Sequence, residues 1–343
     1  MDDRHAIDKS LRLKNALARA GFLEAPVAPL VAAPLGTRRR ADLGVTRRGA
    51  EISLGLHKAR DAEVVDMQEC VLLRADILRL LPPLRVLLRS LEALRRAGSV
   101  VINWLDEGPD ILLRMDAAFT GPDKTKIIAF ARAHNVLRIS IATGTDEPEP
   151  AIMLAPPVIS FAGVKIEPPP GAFLQASAEG EAAIVAAVLA GLPKLTNKSR
   201  IAELFAGSGT LSFALAQRAR VEAYEGNAAA VAAQDKAIRT QNLAGRMSIA
   251  LRDLHRRPLQ PGDIAGRAAV VVDPPFAGAA AQMRFLIAAK APRVIYVSCN
   301  PEALAADAAQ LHRAGYTVLN ATPIDQFPFS ENVESVVVFG KGK

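Results

Sequence analysis

The chain has little cysteine, with Cys70 and Cys299 the only two in 343 residues and far apart. Such a pair offers no disulfide framework, so a reducing cytoplasm is the default expectation. Long apolar runs are missing too. No stretch approaches the roughly 20 apolar residues that span a bilayer, and the opening Met1-Asp-Asp-Arg-His5 lacks the apolar core of a secretory signal. A cytoplasmic protein with no membrane partner is therefore expected, and a monomer is the expected state. Internal repeats and low-complexity tracts are also absent, because the alanine-rich stretches keep a helical period. What the chain has is length enough for two domains, each with its own core. Half its residues are hydrophobic and 22% are charged, an ordinary globular composition. It also carries a formal net charge of +7, with a pI near 9.6. Much of that excess sits early, at Arg38, Arg39, Arg40, Arg47, Arg48, Lys58 and Arg60. A polyanionic partner, nucleic acid above all, fits this balance. A solvated loop face is the plainer reading of the same charges.

Residues 8–20 read as a helix, followed by a proline- and alanine-rich connector, so 1–36 forms an N-terminal helix and connector. From 37 to 166 the pattern is mixed. Alternating stretches at 41–45, 51–56, 100–105 and 111–115 predict strands, and a leucine/arginine period predicts a helix over 75–97. The segment 145–150 reads as a turn or loop. Pro168-Pro-Pro-Gly171 is a hinge candidate. Beyond it the rhythm changes, with helices at 179–191, 210–219 and 228–241 alternating with strands at 200–205, 221–224, 268–272 and 294–297. Strands at 317–319 and 335–339 follow. The alternation predicts a doubly wound α/β sheet over 167–343, in which ligands bind at the carboxyl ends of strands.

Cys299 stands at such an end, in Arg293-Val-Ile-Tyr-Val-Ser-Cys-Asn-Pro301. Asn300 suits an N-cap and Pro301 a first helical position. A thiol beside a helix N-terminus is favoured as thiolate, which makes it a candidate nucleophile. A packed small hydrophobe is the alternative, and placement alone leaves the two about even. Upstream, Glu203-Leu-Phe-Ala-Gly-Ser-Gly209 follows a strand, and its glycines allow close approach to a ligand. Ser212 stands where a dinucleotide fingerprint wants glycine or alanine, which counts against hydride-transfer chemistry. Glu225 ends the next strand, where a carboxylate can hold ribose hydroxyls. Asp273-Pro-Pro-Phe276 follows another apolar run, and its prolines stiffen the loop.

These features resemble known families. The Glu203–Gly209 loop, with Phe205, Gly207 and Gly209, is similar to motif I of class I S-adenosylmethionine (SAM) methyltransferases. In that likeness Glu225 holds the ribose, Asp253 meets the adenine amine, and Asp273 lies where methyl group and base meet. Asp273-Pro-Pro-Phe276 alone resembles the amino-methyltransferases of adenine and cytosine, in which the aromatic residue stacks on a flipped base. Val297-Ser-Cys-Asn-Pro-Glu-Ala-Leu-Ala-Ala-Asp307, Phe327-Pro-Phe-Ser-Glu-Asn-Val-Glu-Ser335 and Gly171-Ala-Phe-Leu-Gln175 resemble instead the RNA uracil-5 methyltransferases, which form 5-methyluridine in tRNA and 23S rRNA. The likeness extends over nearly the whole chain. It implies a class I, Rossmann-like methyltransferase domain preceded by a smaller α+β RNA-binding domain.

It also implies a chemistry. C5 of uracil is a poor nucleophile until a thiolate adds at C6, and a general base must then remove the C5 proton. Cys299 matches the nucleophile and Glu334 the base. Gln175 matches a contact to cofactor and uracil, with Phe173 and Phe276 lining the base pocket. Arg38–Arg40 and Arg47–Arg48 would meet phosphates. The 5-methylcytosine enzymes carry a further cysteine where this chain has Pro-Pro-Phe, so uracil is the implied base. Ribosomal RNA is favoured over tRNA on the Cys70 remnant and the C-terminal motif. The chain departs from relatives in three ways. Only Cys70 matches the four cysteine ligands of a [4Fe–4S] cluster, so no cluster is expected. The TRAM-type domain of many relatives has no counterpart. Phe276 replaces a common arginine, and Ala176-Ser177 stand where Val-Asn often follows the glutamine. The alternatives are C5 methylation of the tRNA uridine-54 type, base amino-methylation through Asp273–Phe276, and a non-catalytic RNA-binding assembly factor.

Overall fold

The structure, a computed structural model, describes residues 3–57 and 63–341; Lys58 and Arg60 of the basic stretch lie outside the described residues. Two compact units emerge. One contains the chain up to Ala33, Phe161–Ile166 and everything from Glu179 onward; the other contains Pro34–Ser160 and Glu167–Ala178.

In the first unit, described residues form an eight-stranded sheet. Its order is Val31–Ala32, Tyr316–Asp325, Glu334–Lys341, Arg293–Ser298, Ala269–Val272, Arg200–Leu204, Arg220–Glu225 and Met247–Leu251. The strands from Arg293–Ser298 to Met247–Leu251 run parallel. Glu334–Lys341 runs antiparallel between Arg293–Ser298 and Tyr316–Asp325. Val270, Val271, Ile295 and Val337 are fully buried, as strands covered on both faces require. The strand order reverses between Arg200–Leu204 and Ala269–Val272, and such a switch point opens a crevice for ligands.

The N-terminal segment belongs to this unit instead of standing apart as a connector. Helix Asp3–Arg19 places Leu13 and Leu17 on one face, and both are buried with Leu304, Ala308 and Leu311. Val31 and Ala32 then pair in parallel with Ile324 and Asp325.

The second unit carries a seven-stranded sheet among described residues, ordered Val64–Asp66, Glu51–His57, Arg40–Arg48, Ala97–Trp104, Pro109–Met115, Arg138–Thr143 and Glu149–Met153. Helix Gly121–Ala133, capped by Thr120, supplies the crossover for its one parallel pair. That helix and the last two strands go beyond the sequence expectation; Glu149–Met153 begins inside the segment expected to be a loop. The helix expected over 75–97 stops at Ser90. There the Asp123 carboxylate accepts from the Glu92 and Ala93 N–H groups at 2.9 and 3.0 Å. Pro168–Gly171, expected as the hinge, lies inside this unit, where the Pro168 carbonyl accepts from buried Arg138 at 2.9 Å.

Candidate active site

Each candidate residue of the first unit sits at the carboxyl edge of its sheet. Leu204 ends a strand, and the chain turns through Phe205 at φ +64°, Gly207 at +55° and Gly209 at +93°. Phe205 is held in this sparsely populated region by an Ala206 N–H to Tyr224 carbonyl bond of 3.1 Å and by ring contact with His255. A Cβ on Gly209 would stand 2.6 Å from the Phe213 ring, whereas one on Gly207 would meet nothing within 4 Å. Glu225, the last residue of its strand, accepts from the Gly207 N–H at 2.8 Å and the Asn227 N–H at 2.7 Å. Gln234, fully buried and absent from the sequence reasoning, donates to the Gly207 carbonyl at 2.9 Å. Asp253 accepts from the His255 and Arg256 N–H groups, and these bonds hold its carboxyl below the usual range.

Glu203 lies beneath this loop, 1% exposed, and its Oε2 has no hydrogen-bond partner. Burial pushes its carboxyl up to about 8, and the charges of Asp273 and Glu225 push the same way. A buried acid among acids, beneath a tight loop, suits a cationic ligand. SAM carries both a sulfonium and an ammonium group, so the residues present fit it.

Asp273 follows Val272 directly, and its N–H donates to the Leu204 carbonyl at 3.2 Å. Burial pushes its carboxyl up to about 7. The loop continues through Pro274, Pro275 and a 64% exposed Phe276. Asn300 and Asp307, the N-cap and a residue of helix Pro301–Arg313, pin this loop. Asn300 Nδ2 donates to the Phe276 carbonyl at 2.8 Å while its Oδ1 caps helix Pro301–Arg313. Asp307 accepts from the Ala279 N–H at 2.7 Å and the Tyr296 hydroxyl at 2.6 Å. Sequence reasoning credited Asn300 with capping alone; the signal for Asp307 was its place in the quoted Cys299 motif.

Cys299 follows strand Arg293–Ser298. In the antiparallel register Ser298 faces Ser335, so the next step sets Cys299 opposite Glu334. Glu334 is buried, and Gln326 Nε2 donates to its Oε2 at 3.0 Å. Burial pushes Glu334 up to about 8, the Asp273 charge adds to this, and Gln326 opposes it. The Cys299 thiol is pushed up to about 11 by burial, then by Glu334 and Asp273. The expectation of a resting thiolate is therefore reversed. A helix terminus contributes ~0.3–1 kcal/mol, too little against desolvation and two carboxylates.

The remaining candidates belong to the second unit. Gly171 turns at φ +69°, and a Cβ there would meet Leu112 at 2.6 Å. The Ala172 carbonyl accepts from Asn103 at 2.9 Å, Phe173 is 66% exposed, and Gln175 is buried. The Arg40 guanidinium lies 5.6 Å from the Phe173 ring centroid and pairs with Asp42 at 3.2 Å. Arg39 donates its N–H to the Ala176 carbonyl at 2.7 Å. Arg38 bonds the Arg40 carbonyl at 3.1 Å, and burial lowers its pKa. Arg47, expected on phosphate, instead donates to the carbonyls of Leu88, Arg89 and Leu91 at 2.8–3.1 Å, capping helix Ala75–Ser90. Arg48 is exposed. Cys70 is a free, half-buried thiol packed against this unit's core. Among the described residues no helix is long and apolar enough to cross a membrane.

Comparison with known proteins bears on this geometry. Residues 262–342 match the family described as tRNA (Uracil-5-)-methyltransferase. An uncharacterized RNA methyltransferase of Brucella suis is 35% identical, the match covering 100% of this chain and 80% of that protein. One of Rhizobium meliloti is 34% identical over 98% of this chain and 79% of its own length. The crystal structure of Pyrococcus abyssi tRNA (uracil-54, C5)-methyltransferase with S-adenosyl-L-homocysteine superposes with a TM-score of 0.73 at 19% identity, covering 99% of this chain and 83% of that one. That last likeness is one of fold, and it agrees with the Rossmann-like sheet described above. The chain belongs to the family of SAM-dependent RNA uracil-5 methyltransferases.

Proposed function

We propose that this protein transfers a methyl group from SAM to C5 of a uridine in RNA, 23S rRNA being the favoured substrate, through a covalent bond between Cys299 and C6. The observation that carries this reading is the register that sets Cys299 opposite buried Glu334, with the Asp273 charge acting on both. When bound, SAM supplies an electrophilic methyl group on a sulfonium. Glu203, Glu225, Asp253 and the Phe205–Gly209 loop would hold it, and the positive charge suits Glu203 and Asp273. The chain's own residues do the rest. Cys299, once ionised, forms a bond to C6, which turns C5 into a carbon nucleophile. C5 takes the methyl group as its bond to sulfur breaks, the electron pair staying on sulfur to leave S-adenosyl-L-homocysteine, and Glu334 then accepts the C5 proton. The electron pair of that C–H bond re-forms the C5–C6 double bond, and the S–C6 bond breaks. A carboxyl raised to about 8 is matched to proton transfer near neutral pH. Phe276, exposed on the loop that follows Asp273, would frame the uracil.

The preference for ribosomal RNA rests on the likeness carried by Cys70 and the C-terminal motif. Radiolabelled methyl transfer from SAM to separate unmodified tRNA and 23S rRNA, followed by nucleoside analysis, tests it. The expected product is 5-methyluridine in 23S rRNA, abolished by Cys299→Ala. A methylated amino group made by Cys299→Ala would move the chemistry to Asp273–Phe276. RNA binding without any methyl transfer would leave an assembly factor.

A further inference from the structure

Lys9 and Asp325 lie 316 residues apart in sequence, yet their side chains form an ion pair buried to 1% and 0% exposure. Lys9 comes from helix Asp3–Arg19, and Asp325 ends strand Tyr316–Asp325. Lys9 Nζ also donates to the Phe327 carbonyl at 2.8 Å. The Asp325 carboxylate accepts from the Phe327 N–H at 3.1 Å, and its carbonyl accepts from the Ala33 N–H at 2.9 Å. The turn Asp325-Gln326-Phe327 is thus clamped on both sides of Gln326. Gln326 is the residue that bonds Glu334 Oε2.

A buried ion pair is a weak source of net stability, because desolvating both charges offsets their attraction. The helix is already fastened by Leu13 and Leu17 in the core and by the Val31–Ala32 pairing. What the pair adds is direction. We propose that Lys9 and Asp325 are positioning residues for proton removal from C5: they fix the turn that lets Gln326 aim the Glu334 carboxylate. The N-terminal helix is then part of the base apparatus. The proposal rests on the reading of Glu334 as the base.

A loosely held base leaves the earlier steps intact and slows elimination, so the methylated Cys299–RNA adduct should outlive its normal lifetime. The variants are Gln326→Leu and the double change Lys9→Met with Asp325→Asn, which leaves no lone charge buried. With RNA containing ordinary uridine and SAM, both should give a persistent adduct on denaturing gels. Turnover should fall about tenfold to a hundredfold at unchanged SAM affinity. With 5-fluorouridine RNA, which cannot release the proton, both should trap as fast as the wild type. Wild-type turnover without a persistent adduct overturns the positioning role. Failure of the variants to trap 5-fluorouridine RNA also overturns it, since the pair would then serve folding or an earlier step. No trapping by the wild type overturns the nucleophile reading, and this proposal with it.

Discussion

Ser335 Oγ donates a hydrogen bond to the Ser298 carbonyl at 3.1 Å, across the antiparallel pair of strands one residue short of Cys299 and Glu334. The bond braces a register that the strand ladder from Arg293 opposite Gly340 to Ser298 opposite Ser335 sets, and that register brings Cys299 opposite Glu334. A slip of one residue would send Glu334 to the other face of the sheet. Ser335→Ala should therefore lower turnover while leaving SAM affinity unchanged, measured by methyl transfer and calorimetry. Its stability cost should be about 1 kcal/mol.

The resting thiol gives a second prediction. With Cys299 raised to about 11, iodoacetamide should alkylate the free protein slowly at neutral pH and faster as pH rises towards that value. SAM or a cationic analogue such as sinefungin should speed the reaction, because a nearby positive charge favours the thiolate over the thiol. S-adenosyl-L-homocysteine, neutral at sulfur, should speed it less. Mass-spectrometric rates, with Cys299→Ser as the blank, check this.

The acidic floor predicts a pH dependence of stability. Glu203 and Glu334 are raised to about 8 and Asp273 to about 7, so the folded state holds these protons more tightly than the unfolded chain. Their contribution is complete below the unfolded values near 4 and is lost as pH rises through 7 to 8. Thermal unfolding should show Tm falling between pH 5 and 9, by about 2–4 °C for each kcal/mol lost. Glu334→Gln should flatten that fall.

The cofactor loop separates two glycines. Gly209→Ala combines φ +93° with a 2.6 Å approach to Phe213, so it should cost about 1–3 kcal/mol and weaken SAM binding at least about tenfold. Gly207→Ala, at φ +55° in open space, should cost about 1 kcal/mol. Calorimetric titration with SAM distinguishes them.

Local chemistry was what the sequence made legible. Asn300 and Pro301 announced a helix start, the Glu203–Gly209 glycines announced a tight loop, and alternating strands and helices announced the parallel sheet. Features that join distant parts of the chain were not legible. Nothing near Lys9 signals a partner at Asp325, and nothing in Arg47 distinguishes a helix cap from a phosphate contact. The state of the Cys299 thiol is illegible for the same reason. Asn300 and Pro301 locate the helix start beside Cys299, but only the fold brings Glu334 and Asp273 close enough to reverse its effect.

The central claim is that Cys299 bonds to C6 of a uridine. The most direct measurement mixes the protein with SAM and 23S rRNA fragments containing 5-fluorouridine, then runs denaturing electrophoresis and mass spectrometry of the trapped peptide. The account predicts a stable RNA adduct on the peptide bearing Cys299, carrying one transferred methyl group and absent from Cys299→Ala. Methyl transfer to ordinary RNA with no such adduct, or an undiminished adduct in Cys299→Ala, would contradict it.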